Sequence, residues 1–108
     1  MKTLPYRAVT SSGAVTEVQF DLHPETVSSE RVGRLVTEVL AAVDAQIEGR
    51  EPAANGDVLQ AVAMLLALRS AMLPGPRAIR EHLARDVVER ALASVAGAGR
   101  GMSGVGHA

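Results

Sequence analysis

Apolar residues near the start of the chain alternate with polar ones in two short stretches, at residues 4–10 and 15–22. Alternation with a period of two predicts half-buried β-strands. The alternating apolar residues are Leu4, Tyr6 and Ala8 in the first stretch and Val18, Phe20 and Leu22 in the second. Residues 11–14 have the composition of a turn, in which Gly13 tolerates a positive φ. We therefore predict an N-terminal β-hairpin with one face in water.

Two later stretches, residues 29–48 and 77–96, repeat apolar residues every three or four positions. This period predicts amphipathic helices. The apolar stripes are Val32, Leu35, Val36, Val39, Leu40, Val43 and Ile47 in the first helix, and Ile79, Leu83, Val87, Val88, Leu92 and Val95 in the second. Opposite charges four residues apart, such as Arg77 and Glu81, are typical of a solvated helix face. Each of these helices therefore has one side to bury.

The stretch between them, residues 57–73, is apolar on almost every side. We predict a helix that is N-capped by its first residue, Asp57, and ended by the proline–glycine–proline sequence at 74–76. Its other polar residues are Gln60, Arg69 and Ser70. A membrane span needs about 20 apolar residues, and this stretch is shorter. A helix that is apolar all round requires burial on every side, so we predict that this central helix forms the core.

Glycine recurs at nearly every second position from Gly97 onward. Little remains there to be buried, and we predict that residues 97–108 form a disordered tail. Residues 1–96 are predicted to form a single α+β domain. The predicted architecture is an N-terminal β-hairpin followed by three helices, with the central helix buried.

These elements favour a two-fold homodimer. An isolated hairpin is marginally stable in water and leaves both of its edges open, and two amphipathic helices do not easily cover a central helix that is apolar all round. Two copies could join their hairpins into one sheet or pack their central helices together. The predicted interface residues are Val18, Phe20, Leu22, Leu59, Val62, Leu66 and Met72. A monomer with its hairpin laid over the central helix is the alternative.

Composition and charge argue against most kinds of active site. The formal net charge is −1 and there is no cysteine, so no strong positive field, disulfide or thiolate metal site is expected. The N-terminus lacks the apolar segment of a signal peptide, which predicts a cytoplasmic protein. We predict no catalytic residue, cofactor or metal. His82 with Asp86, and His23 with its acidic neighbours, are interpreted as polar surface.

Binding to DNA is the alternative function. The central helix, the short turn and the third helix have helix–turn–helix order, which would place Arg77 and Arg80 at the start of a recognition helix. Residues 13–45, GAVTEVQFDLHPETVSSERVGRLVTEVLAAVDA, also resemble the strand–loop–helix half of the YbaB-type nucleoid-associated proteins. That resemblance implies a dimer formed through strands and helices that binds DNA. The two helices predicted after Glu48 have no counterpart in that family.

The favoured function is that of a small, non-enzymatic, self-associating protein that acts as an assembly, adaptor or binding module. Its partners are predicted to be a second copy of itself and an unidentified protein, with nucleic acid and membrane disfavoured. A third possibility is a small-molecule site at the dimer seam, lined by Met64 and Met72.

Overall fold

The computed structural model describes residues 2–9 and 13–106, and beyond residue 98 it describes the backbone alone. Within this part of the chain there are two strands, β1 (Thr3–Val9) and β2 (Val15–Asp21), and three helices, α1 (Ser29–Ile47), α2 (Asn55–Ala71) and α3 (Arg77–Gly106). The predicted α+β arrangement of a hairpin followed by three helices is confirmed. The predicted strand end at residue 10, the turn residues 11 and 12, and the tail residues 107 and 108 lie outside the described residues.

The hairpin has the predicted alternation of faces. β1 pairs antiparallel with β2, with Leu4 opposite Phe20 and Tyr6 opposite Val18. Every second residue of β1 is half-buried and the residues between them are exposed. Gly13 adopts a φ of +89°, as expected for the turn.

Both flanking helices contact the inner face of this hairpin. The Tyr6 hydroxyl lies 2.7 Å from the Thr37 hydroxyl of α1, and the Leu4 side chain lies 3.7 Å from the position that a Cβ of Gly33 would occupy. The other neighbour is α3, which contacts β2. Val18 is 7% exposed and is the one residue classed as buried in the described part of the chain.

The helix starts depend on local caps. The Ser28 hydroxyl accepts a hydrogen bond from the Arg31 N–H at 3.2 Å and so caps α1. The predicted N-cap of α2 at Asp57 is wrong: the helix begins two residues earlier, and Ala54 occupies the N-cap position without a side-chain hydrogen bond. Asp57 lies instead in the first turn, where a carboxylate still favours the helix dipole.

The far end of α3 also differs from the sequence prediction. We expected the helix to end at Ala96, whereas it continues to Gly106. Extending a formed helix adds one hydrogen bond per residue, whereas nucleation is the costly step. The glycines oppose this extension by about 1 kcal/mol each relative to alanine. The disorder of residues 97–108 stays a prediction.

The central position in the fold belongs to α3. It contacts β2 on one side and α2 on another, while α1 packs on β1. The predicted burial of α2 is wrong for the single chain, because none of its residues, all of them described, is buried. The apolar composition of a helix determines how much surface it has to bury. Among the elements of the described chain, α3 is the main neighbour of α2. The hairpin lies against α1 and α3 and does not cover α2.

Candidate interaction surface

The most prominent surface feature of the chain is the uncovered side of α2. Large apolar side chains on α2 and in the turn after it are between 37% and 71% exposed. We call these residues the α2 surface: Leu59, Val62, Met64, Leu65, Leu66, Leu68, Met72 and Leu73. Contiguous apolar surface of this kind marks interaction sites in soluble proteins.

The C-terminal end of α2 is held to α3 by an arginine. Arg80, in the first turns of α3, donates a hydrogen bond to the Ala71 carbonyl at 2.5 Å. This carbonyl is one of the last in α2, where helix carbonyls lack partners within the helix. Gly75 takes a φ of +102° in the turn between the two helices. The position of α2 relative to α3 is therefore fixed at one end, while its apolar sides stay open.

Open cavities separate α2 from the rest of the chain. One of about 340 Å³ lies between α2, α3 and the loop after β2, and another of about 450 Å³ lies between α2 and α3. A third, of about 290 Å³, is bounded by the hairpin, α1 and α3. All three are open to solvent, and they are grooves between elements and not voids inside a core.

A polar cluster joins the end of β2 to α3. Arg90 donates to an Asp86 carboxylate oxygen at 2.8 Å and to Asp21 at 3.0 Å. The Asp21 backbone N–H donates to the Ser94 hydroxyl at 3.0 Å. His23 Nε2 lies 3.9 Å from the same Asp86 oxygen. The cluster therefore holds the strand against the middle of α3.

Within this cluster, Arg90 and Asp86 stabilise each other's charged forms. The hydrogen bond from Arg90, with the attraction of its positive charge, lowers the pKa of Asp86, and the same bond raises the pKa of Arg90. At the start of α3, the hydrogen bond from Arg77 lowers the pKa of Glu81 in the same way. Such paired, half-exposed groups are typical of structural contacts. The second carboxylate oxygen of Asp21, Oδ1, is buried in this cluster without a hydrogen-bond partner among the described residues.

Sequence spacing identified only part of this cluster. The i,i+4 spacing predicts the Asp86–Arg90 contact, but Asp21 and His23 join it from a distant part of the chain. Asp86 forms an ion pair with Arg90 at 2.8 Å, and His82, four residues before Asp86, is exposed. In the described residues, no group of three or more histidines and acidic residues is placed to hold a metal.

The structure divides the predicted interface residues into two groups. Leu59, Val62, Leu66 and Met72 are exposed on the α2 surface. Val18, Phe20 and Leu22 lie on β2 or just after it, and all three are buried or half-buried within the chain. Their participation in a dimer stays a prediction, but the helix group alone is open to a partner in the single chain.

The two arginines of the DNA-binding alternative contact other residues of the chain. Arg77 is paired with Glu81 at 2.7 Å, and Arg80 donates to the end of α2. Met64 and Met72, predicted for a ligand pocket, are 55% and 65% exposed and belong to the α2 surface. Contacts of these residues with DNA or with a ligand stay predictions.

Among the described residues, no helix is long and apolar enough to cross a membrane. Comparison of the chain with protein-family models, with curated proteins and with solved structures finds no match in any of the three.

Proposed function

We propose that this chain is a non-enzymatic assembly or adaptor module that associates with a second copy of itself through α2. The observation that supports this proposal is that α2 is apolar on almost all sides and yet has no buried residue. Burying apolar surface contributes about 25 cal/mol per Å². A partner that covers α2 would supply the burial that the single chain lacks.

The exposed area of the chain agrees with a partner of substantial size. The single chain exposes 8371 Å², whereas a compact monomer of its 11.3 kDa mass is expected to expose about 5,700 Å². The excess over the whole chain is roughly 2,700 Å², and obligate homodimers bury about 1,000–2,500 Å² on each partner. A second copy of the chain exposes an equally large area that could be buried against the first.

Charge also permits self-association. The formal net charge of −1 gives two copies little mutual repulsion, whereas strong charge of one sign would oppose it. The nearly neutral balance provides no driving force toward a polyanion such as DNA. A like partner is therefore favoured over nucleic acid.

Light scattering after size exclusion tests this proposal with two matched double variants. Leu65 and Leu68 of α2 are 56% and 55% exposed, and Leu35 and Val39 of α1 are 55% and 49% exposed. We expect the unmodified chain to have the mass of a dimer. Leu65→Lys with Leu68→Lys should give a folded monomer. Forming the dimer would bury the lysine charges in the interface, and burying an unpaired charge is unfavourable. Leu35→Lys with Val39→Lys is the control and should stay dimeric.

Circular dichroism of each variant shows whether its helices are retained. An unmodified chain that is monomeric at all concentrations would overturn the proposal. Dissociation by the α1 variant and not by the α2 variant would place the interface elsewhere and would overturn the role of α2. Adding duplex DNA at low salt, where phosphate contacts are strongest, should leave the mass unchanged, and a shift would instead support the DNA-binding alternative.

A further inference from the structure

One face of α2 has the spacing of a helix–helix seam. Its members are Val58, Val62, Leu65, Arg69 and Met72, separated by alternating steps of four and three residues. Alternation of four and three keeps side chains on one side of a helix and lets two helices interlock as knobs into holes. We call this face the α2 seam.

Most of the α2 seam is exposed in the single chain. Val62, Leu65 and Met72 are 42%, 56% and 65% exposed, and Arg69 is also exposed. Leu66 and Ser70, on a neighbouring face, border the cavities against α3. Val58 is half-buried, and Arg69 also lines the cavity between α2, α3 and the loop after β2. The contact with α3 therefore leaves three of the five seam residues largely uncovered.

Arg69 is the charged residue within this seam. Its guanidinium donates to the Met72 sulfur at 3.2 Å, and no carboxylate of the described residues is within the 4.0 Å limit of an ion pair with it. A polar residue at one core position of a helix pair lowers its stability but fixes its register. An arginine at this position is consistent with a seam that pairs in one defined way.

We propose that the α2 helices of two copies pack against each other along the α2 seam, around a two-fold axis. This inference rests on the proposed self-association and specifies the face that carries it. A two-fold interface uses the same patch on both copies, and four of the five seam residues are apolar on each copy. The excess exposed area of the whole chain, roughly 2,700 Å² beyond that of a compact monomer, is more than enough to supply the 1,000–2,500 Å² or so that each partner of an obligate dimer buries.

Neighbouring residues on different faces of α2 provide the first test. Leu65 lies in the seam, whereas Met64 lies about 100° around the helix from it, and their exposures are 56% and 55%. Leu65→Lys should raise the dissociation constant of the dimer at least tenfold, as measured by analytical ultracentrifugation. Met64→Lys is the matched control and should change it less than threefold.

A variant that strengthens association provides the second test, since misfolding cannot mimic its effect. Arg69→Leu should lower the dissociation constant about tenfold, because it completes the apolar seam. Arg50→Leu, at an exposed position in the loop before α2, removes the same charge and should leave the constant unchanged.

The two tests separate the seam from the broader proposal. If Met64→Lys dissociates the dimer and Leu65→Lys does not, or if Arg69→Leu weakens it, the seam is wrong while self-association through α2 stands. If the unmodified chain shows no dimer, the proposed function itself fails and the seam fails with it.

Discussion

The carboxylate of Asp86 provides a pH-dependent contribution to the stability of the fold. The hydrogen bond from Arg90 lowers the pKa of Asp86 in the folded chain, so folding favours its charged form. The stabilisation is complete above the ordinary aspartate pKa of about 3.9 and is lost as the pH falls through the lowered folded value. We expect the free energy of unfolding to decrease on acidification below about pH 4, as measured by urea denaturation at a series of pH values.

Asp86→Asn is the variant that isolates this effect, because it removes the titrating group and keeps the shape of the side chain. The variant should be less stable at neutral pH and should depend less steeply on pH in the acid range. Asp44→Asn, on α1, is the control and should retain the full acid dependence of the unmodified chain. Equal acid dependence in all three proteins would show that the contact of Asp86 with Arg90 does not stabilise the fold.

At the scale of single residues, the sequence predicts contacts within one helix and misses those between elements. The spacing of four between Asp86 and Arg90, or between Arg77 and Glu81, is enough to predict an ion pair, and both pairs form. Asp21 reaches Arg90 only because β2 packs against α3. No local pattern marks that contact, since it depends on the arrangement of whole elements.

At the scale of elements, Arg80 links α2 to α3. Its side chain is half-buried and donates to the Ala71 carbonyl at the end of α2. Arg80→Ala should lower the free energy of unfolding by about 1 kcal/mol, because it removes a hydrogen bond from a charged group and the packing of a half-buried side chain. Urea denaturation monitored by circular dichroism measures this change.

Arg77→Ala is the matched control for that variant. Arg77 lies one turn earlier and pairs with Glu81 in an ion pair in which the Arg77 side chain is 84% exposed, and exposed pairs contribute little. We expect Arg77→Ala to be nearly neutral. A loss of stability as large as that of Arg80→Ala would indicate that the charge at the start of α3, and not the link to α2, is what matters.

The sequence predicts the positions of the strands and helices better than it predicts which of their faces are covered by neighbouring elements. Alternation along β1 and the apolar stripe of α1 each define a face, and these strands and helices lie close to their predicted limits. A helix such as α2, which is apolar all round, has no preferred face to assign. Its exposure could not be predicted, because it depends on which neighbours reach α2 and not on α2 itself.

At the scale of the whole molecule, the chain is broad and thin. Its extents are 46 × 39 × 23 Å, and its radius of gyration is 15.4 Å, whereas a compact chain of this length is expected to have about 13 Å. The 30 residues of α3 are about 45 Å long and match the longest extent. Layers of secondary structure normally enclose one shared core. Here the hairpin packs against α1 and α3. The remaining helix, α2, packs on α3 and leaves much of its apolar surface exposed.

An obligate dimer of such chains should melt at a temperature that depends on its concentration. Because dissociation accompanies unfolding, a hundredfold increase in protein concentration stabilises the folded dimer by about 2.7 kcal/mol. For two chains of 108 residues, this corresponds to a rise in Tm of about 6 °C. Differential scanning calorimetry over this concentration range measures the shift. The variant with Leu65→Lys and Leu68→Lys should melt at a lower temperature that does not change with concentration, since its unfolding involves one chain. A Tm of the unmodified chain that stays constant over the range would show that a single copy folds on its own, with α2 exposed in its stable state.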